Sequence, residues 1–109
     1  MGVDTRWFHL LAWFVGAMFL ANMVPHFTQG IAGGPFQSPF ATPPGEGLSS
    51  STSNVVWGLM NLAVAYVLLG RVGRFDHRNS PHLAAAAVGF AMAALLLSRY
   101  FGRFHGGVS

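Results

Sequence analysis

Three uncharged apolar stretches, Trp7–Val24, Val55–Gly70 and Leu83–Ser98, constrain this chain more than any other feature. A helix that crosses a hydrocarbon core about 30 Å thick needs about 20 mostly apolar residues, with roughly 17 to 25 the usual range. The first stretch reaches that length alone, and the other two reach it once their uncharged flanks are counted. Only 8% of the 109 residues are charged, against about a quarter in a soluble domain. That is too few to cover a water-facing surface. These features predict an all-α membrane protein, a single integral membrane domain over 1–109 with three transmembrane helices at about 7–24, 55–72 and 82–101. A long structured Gly/Pro/Phe-rich loop, 25–54, joins the first two, and a short basic loop, 73–81, joins the last two.

The charges suggest an orientation. The basic residues are all arginine (Arg6, Arg71, Arg74, Arg78, Arg99 and Arg103), and the acids are Asp4, Glu46 and Asp76. Arginine favours the cytoplasmic side of a membrane. Placing Arg6 and the basic hairpin inside puts four arginines in the cytoplasm and leaves Arg99 and Arg103 outside. The expectation is a multi-pass protein of the bacterial cytoplasmic (inner) membrane, with its N-terminus inside and its long loop and C-terminus outside. Arginines at helix ends do not form the one-sided basic patch of a nucleic-acid binder. The lack of cysteine excludes disulfides, thiolate metal sites and thiol redox chemistry. Trp7–Ala21 is read as a retained helix and not a signal peptide. Arg6 is offset by Asp4, and the run ends in Asn22 and Pro25 without an Ala-x-Ala cleavage pattern.

Local signals set the expected helix ends. Pro25 lacks an N–H and crowds the carbonyl of Ala21, so it is expected to end or kink the first helix. Ser49–Asn54 supplies caps for the second, and Gly70 with Gly73 suits its end. Ser80-Pro81 opens the third, with serine capping and proline in the first turn. Trp7, Trp57 and Tyr100 suit the membrane interface, whereas Trp13 lies too deep. Spacing also predicts packing faces: Ala85, Gly89 and Ala93 on the third helix, and Asn54, Gly58, Asn61 and Ala65 on the second. Small residues let helix backbones approach closely, and asparagine in hydrocarbon seeks a partner on another helix. Three helices rarely enclose a pathway, so a homo-oligomer or attachment to a larger membrane complex is expected.

The 25–54 segment is the least generic part of the chain. It is rich in glycine and proline, yet it carries Phe27, Ile31, Phe36, Phe40 and Leu48, with Glu46 its only formal charge. A flexible linker would lack the aromatics, and a disordered tail would carry more charge. Phe36 and Phe40 flank Ser38-Pro39, which suggests a turn holding two rings on one side. The expected form is a lid folded over the outer helix ends with its phenylalanines dipping into the interface.

Pro-His-Phe at 25–27, Gly33-Gly34-Pro35-Phe36, Pro-Phe-Ala-x-Pro-Pro-Gly at 39–45, Leu-Ser-Ser at 48–50 and Asn-x-x-Trp-Gly at 54–58 form a pattern. It resembles a family of small, uncharacterised bacterial multi-helix integral membrane proteins, over the middle third of the chain and in helix layout. More remotely, a His-Phe ending the first helix before a proline-rich aromatic loop is similar to DoxX-like membrane proteins. Those typically have four helices, and some are linked to quinone-dependent redox chemistry. The resemblance implies a fold and the lid region as a site, and it implies no activity.

His26 is the leading site candidate, beside Pro25 and within reach of Asn22 and, if the lid folds back, Glu46. An imidazole near a carboxylate in a low-dielectric setting suits ligand binding or proton transfer. The plainer alternative is a histidine that ties the lid to the helix end. Asn22, Asn54 and His26 are expected to form a polar cluster beneath the lid, with Asn61 deeper and Phe36 and Phe40 above. Interhelical hydrogen bonding is the plainer reading of these asparagines. Two outer histidines, His26 and His105, and three inner ones, His9, His77 and His82, raise a paired-imidazole haem. His77, His82 and His105 nevertheless sit at polar ends where histidine is ordinary. No cofactor and no metal is expected, with haem or quinone as lesser alternatives. The chain has no Ser/His/Asp set, no paired carboxylates and no Gly-rich phosphate loop with Lys. The leading expectation is a non-catalytic accessory or scaffold subunit, or a self-associating bundle, with an outer-loop contact or ligand site. The alternatives are an oligomeric small-solute transporter or channel component, and a quinone- or haem-binding redox subunit.

Overall fold

A computed structural model describes residues 4–107. Three helices carry the chain: α1 (Trp7–Ile31), α2 (Ser51–Gly70) and α3 (Ser80–His105). All three are long and apolar enough to cross a membrane. At 1.5 Å per residue, α1 with its 25 residues is about 37 Å long. Two-residue strands, β1 (Phe36–Gln37) and β2 (Leu48–Ser49), pair antiparallel within the α1–α2 connection.

The helices are longer than expected at several ends, each for a local reason. α1 runs through Pro25 for a further turn and a half. Proline inside a membrane helix is tolerated where neighbouring groups and small adjustments take up the freed backbone groups. The stop comes instead at Gly33-Gly34. Gly33 adopts φ +82°, and the Gly34 N–H reaches back to the Gln29 carbonyl at 3.0 Å, a Schellman-type closure. α2 starts at Ser51, four residues early, because Ser50 serves as its cap and accepts from the Ser53 N–H at 3.1 Å. The cap of α3 is Asn79, not Ser80; its side chain accepts from the His82 N–H. Arg99 and Arg103 fall inside α3, which continues to His105 until Gly106 takes a left-handed φ of 77°. The connection between α1 and α2 is therefore 32–50, and the one between α2 and α3 is 71–79.

α1 is the central column. α2 and α3 both pack against it and scarcely touch each other. The α1–α2 contact is close because small residues line it. A side chain on Gly16 would strike Leu68 and Leu69, and one on Gly58 would strike the backbone of Phe27. The α3 contact depends on Gly89, where any side chain would overlap the Phe14 carbonyl of α1. Ala93 is buried one turn on, while Ala85 stays half-buried at the edge of the same ridge. Outward faces of α2 and α3 are apolar, among them Val56, Met60, Val67, Val88, Met92 and Leu95. These are the surfaces a lipid bilayer would wet.

The hairpin end is held by Trp13, fully buried, whose indole N–H donates to the Val72 carbonyl at 2.9 Å. Its ring stacks on His9 and meets Phe75 and His82. His82 is no ordinary end-of-helix histidine. It is buried, its Nδ1 accepts from the Asp76 N–H at 3.0 Å, and its Nε2 bonds Thr5 Oγ1 at 2.8 Å. One imidazole thus joins the start of the chain, the short connection and α3.

Candidate functional site

The 32–50 connection folds down onto the helix ends through specific side chains. Asn54, in the first turns of α2, is completely buried. Its amide nitrogen donates to the carbonyls of Phe36, Ser49 and Ser50 at 3.1 to 3.2 Å. Those three acceptors fix the amide orientation and leave Oδ1 facing α1, where His26 Nδ1 lies 2.8 Å away. Since Oδ1 only accepts, Nδ1 carries the proton of this bond. His26 is 2% exposed, and its ring meets Phe36, Trp57 and Phe101 edge-on.

α3 supplies the other anchors. The Tyr100 hydroxyl donates to the Gly45 carbonyl at 2.7 Å. His105 Nε2 donates to Gln37 Oε1 at 2.7 Å, and its ring stacks on Phe36. Within the connection, Ser38 and Ser49 join their hydroxyls at 2.5 Å, and the Gly45 N–H closes a turn onto the Ser38 carbonyl. The Thr42–Pro43 peptide in that turn is cis.

This geometry regroups the expected residues. The Asn22/His26/Asn54 cluster divides into two pairs: His26 with Asn54, and Asn22 with Asn61, whose Nδ2-to-Oδ1 bond is 3.0 Å long. Asn61 in turn donates to the Trp57 carbonyl. Phe36 and Phe40 do not share a side. Strand pairing turns Phe36 inward to 8% exposure, whereas Phe40, beyond the Pro39 turn, is 66% exposed and meets only the edge of Trp57. Glu46 does not reach His26; it lies on the exposed rim of the turn, away from every cavity described below. Phe36 packs against two imidazoles, edge-on to His26 and stacked on His105. Among the described residues, no group of three or more His, Cys, Asp or Glu side chains could hold a metal ion.

Under the connection lies a cavity of about 270 Å³ walled by Asn22, His26, Gln37, Ser38, Trp57 and Tyr100, among others. Below it, a cavity of about 340 Å³ runs between α2 and α3 over α1, lined by Met18, Phe19, Asn61, Ala93 and Leu96. The two share Asn22, Trp57 and Leu97 in their walls. A third cavity, about 360 Å³, lies between α1 and α3 and is lined mainly by apolar residues such as Val24, Phe90 and Ala94. The Trp57 indole N–H is buried with no acceptor among the described residues. Gln37, Ser38, Trp57 and Tyr100 belong to this site although sequence reasoning did not assign them to it. Tyr100 and Trp57 suit the membrane interface by sequence, and that shared level is the signal that could place both at the site.

Chemically, the arrangement offers a small, mainly apolar chamber edged by a few uncharged donors and acceptors, above an apolar trough. Among the described residues, no carboxylate lines the chamber beside the imidazole. Comparison with protein-family models, with curated proteins and with solved structures returned no match, so the geometry stands by itself.

Proposed function

We propose that this chain is a small polytopic membrane protein that holds an amphiphilic molecule, without transforming it, as an accessory subunit of a bacterial inner-membrane assembly. One observation carries the reading. The chamber edged by the polar groups of His26, Gln37, Ser38 and Tyr100 and the apolar trough between α2 and α3 share Asn22, Trp57 and Leu97 in their walls. A molecule with a small polar head and an apolar chain matches that sequence of environments, because pockets orient ligands with few polar groups set in apolar walls. Leu97 lines all three cavities, so Leu97→Trp fills their junction. Native mass spectrometry of the protein released from mild detergent is expected to find a retained amphiphile on the wild type and far less on Leu97→Trp, at unchanged helicity. Equal retention by both would remove the trough from the argument.

In the proposed orientation the His26 chamber faces outward and the 71–79 connection faces the cytoplasm. The support is the arginine distribution: Arg6, Arg71, Arg74 and Arg78 stand at the hairpin end and Arg99 and Arg103 at the other. Because the chain has no cysteine, single substitutions at exposed sites give clean labels. Thr42→Cys is expected to react with a membrane-impermeant maleimide on intact spheroplasts, and His77→Cys only after lysis. The reverse pattern inverts the topology.

A further inference from the structure

The hydrogen-bonding state of the chamber specifies the head group. Asn54 donates to three carbonyls, so its Oδ1 must face His26, and His26 Nδ1 must carry a proton to meet it. In the neutral imidazole the other ring nitrogen, Nε2, is then an acceptor, and among the described residues no donor reaches it. One donor borders the same space without an acceptor. Gln37 gives its Oε1 to His105, and its amide nitrogen has no hydrogen-bond partner among the described residues. Among the described residues, no Arg, Asp or Glu side chain lines either cavity.

We infer that the site selects a neutral amphiphile whose head is an alcohol, the hydroxyl donating to His26 Nε2 and accepting from the Gln37 amide. The inference rests on the amphiphile-holding reading above. A hydroxyl is the smallest group that both donates and accepts, which is what this pair of unmet partners demands. An ester or ketone only accepts, so it would leave the Nε2 lone pair facing another lone pair. A carboxylate or phosphate would enter a chamber with no cation to offset its lost hydration, an unfavourable exchange. The trough below, with Met18, Phe19, Ala93 and Leu96 in its walls, takes the chain. Long-chain alcohols and monoacylglycerols share this chemistry.

The test uses the full chain with ¹⁵N-labelled histidine in detergent micelles, titrated with four ligands that share one oleyl chain. These are oleyl alcohol, 1-monooleoylglycerol, methyl oleate and oleate. His26→Gln serves to assign the His26 resonances. The alcohols are expected to bind about tenfold more tightly than methyl oleate, the size of one well-made hydrogen bond. They should also shift the His26 Nε2 resonance while Nδ1 keeps its protonated position. Preference for oleyl alcohol over the glyceride, or the reverse, names the source of the hydroxyl. Equal binding of methyl oleate, or tightest binding of oleate, overturns the alcohol head and leaves the amphiphile-holding reading intact. If none of the four binds, both fail together. A His26 pattern with the proton on Nε2 would overturn the inference even before ligand is added.

Discussion

Asn54→Ala is expected to detach the 32–50 connection from the helices while leaving the opposite end of the bundle in place. The substitution removes the donor to the Phe36, Ser49 and Ser50 carbonyls and the acceptor for His26 Nδ1. Each buried polar group left unpaired costs about 1–3 kcal/mol. Side-chain hydrogen bonds between membrane helices average only about 0.6 kcal/mol, because the unfolded helices find other partners within the bilayer. Asn54 differs in that its partners belong to a connection with two-residue strands and few bonds of its own. The expected loss is therefore about 3 kcal/mol and confined to that end. Chymotrypsin reads it out, since the cut at Phe36 is protected by burial in the wild type. Rapid cleavage there in Asn54→Ala, with no added cleavage at Phe75 in the other connection, is the expected pattern. If Phe36 stays protected, Tyr100 and His105 hold the connection without Asn54.

Trp13→Ala should produce the mirror result. Removing a fully buried tryptophan costs about 3–5 kcal/mol through lost packing and the cavity left behind. Here it also orphans the Val72 carbonyl and takes a wall from the nest formed with His9, Phe75 and His82. Trp13→Phe keeps most of the ring and deletes only the bond to Val72, a loss of about 1 kcal/mol. Thermal unfolding in detergent, followed by circular dichroism, should rank wild type above Trp13→Phe and both well above Trp13→Ala. Trypsin should nick Trp13→Ala at Arg71, Arg74 or Arg78 first. A small and equal loss in both variants would mean that ring packing contributes little there.

The three spans were legible because burial in lipid requires an uninterrupted apolar run, a property of local composition alone. Their ends were less so. Pro25, which lacks an N–H and crowds the Ala21 carbonyl, suggested an end or a kink; the helix stops instead at the glycine pair at 33 and 34, where Gly33 makes a left-handed turn at least cost. Asn22, His26, Asn54 and Asn61 stood out as residue types, but each was assigned by depth on its own helix. Pairing depends on antiparallel register: as α1 rises, α2 descends, so Trp13 meets Val72, two residues past α2, Gly16 meets Leu68, Asn22 meets Asn61 and His26 meets Asn54. That progression could have been laid out from the lengths of the two helices. The positions of Glu46 and Phe40 could not, because a connection without periodicity gives no rule for which side chain turns inward. His82 was missed for another reason. Of its partners, Asp76 lies six residues away but donates through its backbone, and Thr5 lies 77 residues away.

Because α1 alone bridges its two neighbours, the bundle has an unsealed flank where α2 and α3 stand apart. A guest dissolved among acyl tails would arrive sideways through that seam, never crossing an aqueous gate. Occupancy would then follow the guest's mole fraction in the leaflet, and bulk-solution concentrations would be the wrong axis on which to compare affinities.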